Sequence, residues 1–521
     1  MGAHDDRDPI SGRAISRRSV LAGAAGLGLS LGAFGSTSKA LAADTPKRGG
    51  NLRVAILGGG SADTLDANLS ITQADTARVL GLYQPLRRVR HGGKFENILA
   101  ESMESNANGT VWTIRLRKGI TFHNGKPLKA EDVAFTFLRV TNPRAPLIGQ
   151  PELGPMDLNS IKILDDLTLR VGMHAPFAIF DEVVADDLNL GIVPVGYDPK
   201  KPVGTGAFKF ESFTPGQQSV FARYDGYWGK VAYLDKLTIV DSFASSTAAY
   251  NALQGGEIDV FAAAPLTLAR QIRPGGPINL LVSDVGQWTP FVMRVDQPPF
   301  DDPDVRKAFR LIVDREQIIK IALNGFGVPG NDVFSRWDAA PETFHRSRNI
   351  EQAKALLKKA GRENLTVELT TADIANGVVE SAQIFARQAK DAGVTVHIKQ
   401  VTTEVFFGEQ FLKRSFTQDF WTLKPYLPQV ALCMLPNSPY NETHWPDAAY
   451  VALFNKALST MDATKRAEIV TQLQTIDFEQ GSYIIPSYNQ IVDLVAHNVN
   501  GLSPGAILAL GDYDFAKIWL S

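Results

Sequence analysis

Apolar residues occupy every second position of the segment Trp112–Leu116, with threonine and arginine between them. A period of two residues is typical of a strand that is buried on one face, so this segment is predicted to be a strand. Ile120 and Phe122 continue the alternation. The pair Asn124-Gly125 follows, and it favours a tight turn because both residues tolerate positive φ. The pattern therefore predicts strand structure that ends at a turn near residue 125.

The pattern changes to helical spacing after this turn. Glu131 and Asp132 would lie in the first turn of a helix, where carboxylates interact favourably with the positive end of the helix dipole. Val133, Phe137 and Leu138 then follow at positions that one side of a helix can share. We expect a helix here, with these three apolar residues on its buried side.

Helical and strand periods alternate from Asp302 to Gln480. The segment LTVELTT (365–371) is predicted to be a strand, GVVESAQIFARQAKDAG (377–393) a helix, and VTVHIKQV (394–401) a strand. A strand, a helix and a strand in this order form a βαβ unit, in which the two strands are parallel. The segment QDFWTL (418–423) is a further strand candidate.

These elements predict an α/β protein with two lobes. A chain of 521 residues is longer than one hydrophobic core usually supports. One lobe is expected to contain residues 43–295 together with residues 487–521, and the second lobe to contain residues 296–486. The chain would cross between the lobes at FVMRVD (291–296) and IIPSYN (484–489).

The N-terminus has the pattern of an export signal. Arg17-Arg18 stands directly before an apolar run from Val20 to Phe34, and Ala40-Leu41-Ala42 supplies the small residues that a signal peptidase requires. Paired arginines favour the twin-arginine route, although an ordinary secretory signal also fits these residues. Residues 1–42 are therefore expected to be a signal peptide that is cleaved near Ala42/Ala43, which would place the mature protein in the periplasm.

Composition excludes several classes of partner. The only cysteine is Cys433, so no disulfide can form within the chain. The 53 basic and 55 acidic residues give a net charge of −2 without a basic tract, so no nucleic-acid partner is expected. The eight histidines lack zinc-binding spacing, and the glycines at 58–60 lack the rest of a phosphate-binding motif. No metal or cofactor is therefore expected.

The sequence contains one motif that matches an enzyme site in its letters. GLSPG (501–505) has the G-x-S-x-G spacing of a nucleophile elbow around Ser503. That elbow needs a strand–turn–helix context and, in its usual chain order, a downstream histidine. Pro504 disfavours the helix, and the last histidine, His497, lies upstream. We therefore expect no catalytic serine here, and we expect His123 to be a packing residue.

The segment WTIRLRKGITFHNGKPLKAEDV (112–133) resembles the signature of the family 5 extracellular solute-binding proteins. The segments VGTGAFKF, ARYDGYWG and QPPFDDPDVRKAFRLIVDRE follow in the order of that family, although Asn124 and Lys129 depart from its usual acid and hydroxyl. The resemblance implies a bilobal periplasmic-binding-protein-like fold of the cluster C type. It also implies a small domain, about residues 85–200, inserted in the first lobe.

The same resemblance implies a function and partners. A monomeric receptor would enclose a small-molecule or peptide-like ligand between its lobes and deliver it to the membrane permease of an ABC importer. Two other functions stay open on the sequence alone. One is a sensory receptor that presents its ligand to a membrane kinase or chemoreceptor, and the other is an exported hydrolase on the same scaffold.

Candidate ligand-binding residues follow from the expected ends of strands, because ligands of open α/β sheets lie beyond the carboxyl ends of the strands. These residues lie near the ends of the predicted strands or at or beside the two crossings between lobes, and they are Ser61, Trp288, Thr289, Asp373, Trp421, Lys424, Tyr426 and Tyr488. In dipeptide-binding members of the family, an aspartate after the strand equivalent to QDFWTL holds the ligand's amino group. Here Lys424 follows instead, which favours a neutral or acidic ligand if the lysine faces the cleft.

Overall fold

The computed structural model describes residues 45–185, 188–335, 344–445 and 447–521. The predicted signal peptide and its cleavage site lie outside the described residues. Within the described residues, no helix is both long enough and apolar enough to cross a membrane. All contacts given below lie within the unit Pro46–Ser521.

The largest sheet has eight strands and uses both ends of the described chain. Its strands are β1 (Asn51–Ala55), β8 (Phe208–Thr214), β9 (Gln218–Arg223), β10 (Lys236–Val240), β11 (Val260–Phe261), β12 (Ile278–Trp288), β14 (Gly327–Pro329) and β19 (Ser487–Ala496). Their order is β12-β19-β11-β1-β10-β9-β8, with β14 paired to β19. Strand β1 pairs in parallel with both β10 and β11.

A second sheet has five strands, all from residues 291–484. Its strands are β13 (Phe291–Met293), β15 (Thr366–Thr371), β16 (Thr395–Gln400), β17 (Phe416–Gln418) and β18 (Tyr483–Ile484). Their order is β16-β15-β17-β13-β18. Strands β15 and β16 are parallel and are joined by a helix at Val378–Lys390, which confirms the predicted βαβ unit.

The chain passes between these two sheets at the two predicted crossings and also on its way into and out of β14 (Gly327–Pro329), which belongs to the first sheet although it lies between β13 and β15 along the chain. It leaves the first sheet after Trp288 and enters the second at Phe291, and it returns between Ile484 and Ser487. The two sheets define two lobes, so the predicted bilobal α/β fold is confirmed. The domain boundaries at residues 295 and 486 stay predictions.

The remaining strands form three smaller sheets. One has the order β4-β5-β7-β6, and the other two are the hairpins β2–β3 and β20–β21. The strands are β2 (Arg87–Arg90), β3 (Lys94–Asn97), β4 (Ala100–Ser105), β5 (Val111–Leu116), β6 (Met156–Asp165), β7 (Thr168–Met173), β20 (Val499–Asn500) and β21 (Trp519–Leu520). The four-stranded sheet lies within the stretch predicted as an inserted domain, and its status as a separate domain stays a prediction.

Helices cover both sheets and the segments between them. They are α1 (Gln73–Leu82), α2 (Ala130–Val140), α3 (Gln150–Leu153), α4 (Phe180–Val183), α5 (Ser246–Gln254), α6 (Leu266–Ala269), α7 (Pro303–Ile312), α8 (Arg315–Ala322), α9 (Ile350–Lys359), α10 (Val378–Lys390), α11 (Thr403–Phe406), α12 (Tyr426–Cys433), α13 (Ala448–Leu458) and α14 (Ala463–Gln480).

Two local predictions were wrong in part. Ile120 and Phe122 are buried, but this segment forms only an isolated bridge, between Thr121 and Pro127, because the chain already turns back here. In α2, Val133 and Phe137 are buried while Leu138 is 48% exposed. One residue of helix rotates a side chain by about 100°, which carries Leu138 off the stripe that contains Phe137.

Three of the segments that resemble family motifs meet at His123. They are WTIRLRKGITFHNGKPLKAEDV, which contains His123, and the segments VGTGAFKF and ARYDGYWG. Its Nδ1 accepts the Gly204 N–H at 3.2 Å, its Nε2 lies 3.0 Å from the Gly206 carbonyl oxygen, and its ring meets Tyr224 edge-on. Because Nδ1 is an acceptor, Nε2 carries the proton and the ring is neutral. A Cβ on Gly204 would lie 2.0 Å from the Leu82 carbonyl oxygen, so this approach requires glycine. His123 therefore holds the scaffold together.

The ionisation of His123 predicts a specific loss of stability in acid. Burial lowers its pKa from 6.5 to about 4. The neutral form is thus favoured in the folded state, so its contribution is complete above pH 6.5 and is lost as the pH falls towards 4. Between pH 7 and pH 4.5, we expect the wild type to lose about 2 kcal/mol more stability than His123→Gln. Urea titrations at both pH values measure this difference, and equal losses would contradict the assignment.

Arginines of the segment DPDVRKAFRLIVDRE bind the end of α14. Arg306 donates to the Gln480 carbonyl oxygen at 3.0 Å, and Arg310 donates to the carbonyl oxygens of Asp477 and Phe478 at 2.8 and 2.9 Å. The last carbonyls of a helix have no partner within the helix, and they form the negative end of its dipole. The motif therefore fixes α7 to the segment that leads into the second crossing between the lobes.

Candidate functional site

A small cavity lies between the two lobes. It is lined from one side by residues such as Val89 and Val183, from the other by the segment 422–425 with Pro428, and from a third side by Ile507 and Leu508. Val89 and Val183 belong to the excursion between β1 and β8 of the first sheet, whereas residues 422–428 lie between β17 and β18 of the second. The cavity therefore separates parts of different lobes.

The cavity is too small for a typical ligand in this arrangement. Its volume is about 60 Å³, whereas small-molecule sites usually enclose roughly 300–1,000 Å³. The lobes must move apart to admit a solute. A larger cavity of about 480 Å³ lies against Arg88, Trp228 and Asp512. The described residues that line it all come from the first lobe and from the segments attached to it, so closure of the second lobe would not enclose a solute there.

Lys424 lies at the cavity wall, but its charge is compensated. Its Nζ is 3.0 Å from Oε1 of Glu152, which also lines the cavity. An acidic ligand was expected on the assumption that no carboxylate lies beside the Lys424 ammonium. Glu152 supplies such a carboxylate, so Lys424 gives no reason to prefer an acidic ligand. Among the described residues that line the cavity, Lys424 is the one that the sequence had proposed.

The aromatic site candidates are brought together, but they stack on each other. Tyr426 stacks on Phe334 at 5.0 Å, Phe334 on Trp288 at 5.7 Å, and Trp288 on Trp421 at 5.9 Å. Trp288 and Tyr426 are both 0% exposed. Neither ring lines the cavity, and both pack in the buried core beside the two predicted crossings between the sheets, which we call the hinge. Trp421 is partly exposed.

The other candidates lie apart from the cavity. Thr289 and Tyr488 are buried in the hinge, where the Tyr488 hydroxyl donates to the Val333 carbonyl oxygen. Ser61 and Asp373 are exposed beyond the ends of β1 and β15. These positions match the expected strand ends, but neither residue lines the cavity between the lobes as far as the described residues go.

An acidic pair in the second lobe was not predicted. Glu442 accepts from Trp421 Nε1 at 3.2 Å and from the Tyr483 hydroxyl at 3.0 Å. Burial raises the pKa of both Asp419 and Glu442, and the neighbouring Asp419 raises that of Glu442 further. Both shifts favour the protonated, neutral form of these buried carboxyl groups. The sequence offers no signal for this pair, because Glu442 follows Trp421 only after 21 positions.

A second unpredicted cluster lies behind the glycine segment after β1. Arg78 is fully buried and bonds to Asp63, Asp75 and Asp241. The Asp63 N–H donates to the Gly60 carbonyl oxygen at 3.1 Å, so the cluster fixes the segment that ends at Ser61. Burial raises the pKa of Asp241 to about 6. No sequence motif indicates this cluster, because its members are spread over residues 63–241.

The C-terminal wall of the cavity depends on an unusual turn. Leu510, Asp512 and Tyr513 have φ values of 49°, 60° and 54°, a left-handed conformation that costs energy for residues with a side chain. Asp512 Oδ1 accepts the N–H groups of Ala506, Ile507 and Leu508, each at 2.9 Å. These bonds hold the segment 506–508, so Ile507 and Leu508 are fixed at the cavity.

No metal centre is apparent in the part of the chain that the structure describes. No three acids, histidines or cysteines there are placed to hold an ion. Cys433 is buried, and burial raises its pKa. Ser503 is exposed on the C-terminal segment, before the left-handed turn rather than at the start of a helix. This differs from the geometry that a nucleophile elbow requires.

Comparison with protein families gives a match over most of the chain. The model of the bacterial extracellular solute-binding proteins, family 5 (middle region), matches residues 94–423. The matched range contains the signature segment around His123 and extends to the cavity residue Leu423.

Two curated relatives resemble nearly the whole chain. The dipeptide-binding protein of Escherichia coli is 26% identical over 470 residues, which cover 81% of this chain and 85% of that protein. The glutathione-binding protein of Pectobacterium atrosepticum is 23% identical and covers 88% of this chain and 92% of its own length. Both relatives carry names of binding proteins.

A solved structure shows the same fold. The ABC transporter substrate-binding protein CtaP from Listeria monocytogenes superposes with a TM-score of 0.79 at 22% identity, covering 91% of this chain and 100% of that one.

Proposed function

The chain belongs to the bacterial extracellular solute-binding proteins of family 5, and from this membership we propose that it captures a small polar organic solute or peptide-like ligand between its lobes. The solute then passes to the membrane permease of an ABC importer. The observation that carries the proposal is the cavity between segments of the two sheets. A solute that contacts both walls favours closure, and the permease can recognise the closed shape.

The ligand class follows from the relatives rather than from one residue. They are named for binding dipeptides and glutathione, which are polar molecules with several charged groups. The ion pair between Lys424 and Glu152 gives no reason to exclude a ligand that carries an amine. We therefore propose a peptide-like or other small polar solute, without the acidic preference that Lys424 alone had suggested.

We propose that the protein acts as a monomer and that it binds its solute without converting it chemically. Two residues that could have suggested catalysis support this proposal. His123 holds the scaffold together, Ser503 lies on the C-terminal segment, and neither lines the cavity between the lobes. A solute recovered from the purified protein should raise the melting temperature on re-addition, because binding to the folded state alone stabilises it by mass action. His123→Ala and Ser503→Ala should keep its affinity within a few-fold. Conversion of the solute by the purified protein would contradict the proposal.

Export by the twin-arginine route is part of the same proposal. Replacing Arg17-Arg18 with Lys-Lys should strongly reduce the amount of mature protein in the periplasm, because that route depends on the paired arginines. N-terminal sequencing of the wild type should find a start at Ala43 or within a residue or two. An unchanged periplasmic yield in the double variant would instead indicate an ordinary secretory signal.

A further inference from the structure

The larger cavity of the first lobe has a wall whose side chains are fixed by a buried amide. The cavity volume of about 480 Å³ lies in the range of small-molecule sites, and Gln84, Tyr227 and Trp228 contribute to its lining. Gln84 is 7% exposed. Trp228 Nε1 donates to Gln84 Oε1 at 2.7 Å, and Gln84 Nε2 donates to the Tyr227 hydroxyl oxygen at 2.7 Å. The Gln84 amide therefore orients both aromatic side chains.

These two bonds determine where the Tyr227 hydroxyl hydrogen can point. An indole N–H can only donate, so the atom of the Gln84 amide that faces Trp228 must be the oxygen. The amide nitrogen then faces Tyr227 and donates to it, so the Tyr227 hydrogen must point away from Gln84. No residue in the described part of the chain accepts this hydrogen. Because Tyr227 lines the cavity, a molecule in the cavity can accept it.

The Tyr227 hydroxyl keeps its hydrogen at neutral pH. Burial raises the pKa of Tyr227 above its usual value, and the Asp514 carboxylate adds to this increase. The guanidinium groups of Arg88 and Arg90 oppose the increase, so both act electrostatically on the same hydroxyl group. Tyr227 is thus a neutral donor close to positive charge, which suits an acceptor that is negatively charged.

The charged groups of the lining also favour an anion. Among the described residues that line the cavity there are three acids and four cations, and the cations are Arg88, Arg90, Lys230 and Lys517. Each of the three acids already binds a donor. Glu96 pairs with Arg90, and Asp514 pairs with Lys517 at 2.7 Å. Asp512 accepts three backbone N–H groups.

The most buried of the four cations is Arg88. It is 6% exposed, whereas Lys230 and Lys517 are exposed to solvent. A charge that is shielded from water interacts more strongly with an opposite charge. Arg88 and the Tyr227 hydroxyl therefore provide the part of the cavity that is best suited to a carboxylate.

The rest of the cavity wall suits a flat apolar group. The rings of Tyr227 and Trp228 lie beside apolar side chains, which are Ile98, Pro504, Ala506 and Ala516. Aromatic rings pack favourably against other aromatic rings, either offset or edge-on. A ligand that combines an aromatic ring with one carboxylate would match both parts of this wall.

We propose that the first lobe contains a second binding site, in the cavity around Tyr227 and Arg88, for a small carboxylic acid with an aromatic ring. The ligand carboxylate accepts the Tyr227 hydrogen and interacts with Arg88, while the ring packs against Trp228. The cavity opens to solvent at Lys230, so this ligand exchanges without movement of the lobes and is removed by dialysis. The site is additional to the capture of a solute between the lobes.

Calorimetric titration of the dialysed protein with 2-naphthoate tests the proposal. We expect one bound molecule per chain, with a Kd below about 1 mM. Tyr227→Phe keeps the ring but removes the donor, so it should weaken binding about tenfold or more. Lys230→Glu reverses a charge at an exposed position and should weaken binding about threefold or more. This second variant decides the test if Tyr227→Phe fails to fold.

Three controls identify the site and the group that is recognised. Tyr250→Phe is the matched variant, because Tyr250 is a partly buried residue of α5 away from the cavity, and it should bind 2-naphthoate like the wild type. Leu508→Trp, which fills the cavity between the lobes, should also leave this binding unchanged. The uncharged analogue 2-naphthylmethanol should bind about tenfold more weakly or worse.

Four results would overturn the second site. They are the absence of 2-naphthoate binding by the wild type, full binding by both Tyr227→Phe and Lys230→Glu, equal binding of the uncharged analogue, and loss of binding in Leu508→Trp. The solute held between the lobes is measured separately by its recovery from the purified protein, so failure of the second site would leave the proposed function in place.

Discussion

Replacement of Arg310 by methionine should lower the free energy of unfolding by about 3 kcal/mol or more. Arg310 is 0% exposed and donates to the carbonyl oxygens of Asp477, Phe478 and Glu479 in the last turn of α14. Methionine fills a similar volume but donates no hydrogen bond, so the Glu479 carbonyl would lose the donor that Arg310 supplies. The carbonyls of Asp477 and Phe478, which also accept from Gly481 N–H and Arg346, would each lose one donor.

Urea unfolding of the purified protein measures the effect. Arg273→Met is the matched control, because Arg273 is exposed, and its change should stay within about 0.5 kcal/mol. If Arg310→Met also stays within 1 kcal/mol of the wild type, the bonds to α14 do not hold the second lobe together.

Replacement of Leu508 by tryptophan should weaken solute binding by at least about 100-fold, or about 2.7 kcal/mol. Leu508 lines the cavity between the lobes, and the bond from its N–H to Asp512 fixes its position. The larger ring would occupy space that the solute needs, and it would prevent the walls from closing on the solute. The increase in melting temperature with recovered solute should therefore disappear.

Ser503→Trp is the matched control for this prediction. Ser503 lies on the same C-terminal segment, but it is exposed and lines the larger cavity of the first lobe. This variant should respond to solute like the wild type. Full binding by Leu508→Trp would show that the solute occupies another site, and loss of binding in both variants would point to general damage of the segment.

The scaffold could be predicted because its signals are local. The alternation around Trp112 identified β5, and the segments at 365–401 identified a parallel βαβ unit. The arrangement of two lobes followed from the order of the predicted elements, and the resemblance of whole segments to a family implied it as well. Leu138 shows the limit of periodicity, since neighbouring positions on a helix differ by about 100° and only one of Phe137 and Leu138 can face the core.

The site could be predicted only in part because its contacts are distant in sequence. Glu152 pairs with Lys424 across 272 positions, and no spacing rule connects them. Aromatic residues near strand ends were proposed as ligand-binding residues, but composition cannot show that Trp288 and Tyr426 are covered by other rings. The left-handed turn at Leu510 also escaped prediction, because its non-glycine residues depend on bonds to buried aspartates.

The central claim is that this chain holds one solute between its lobes and returns it unchanged. Native mass spectrometry of protein purified from the periplasm tests it most directly, followed by denaturation, identification of the released compound and rebinding to the refolded protein. We expect one solute per chain, of the same mass before and after prolonged incubation with the protein, and no such adduct on Leu508→Trp. A compound whose mass changes during incubation, or an adduct that Leu508→Trp retains in full, would contradict the claim.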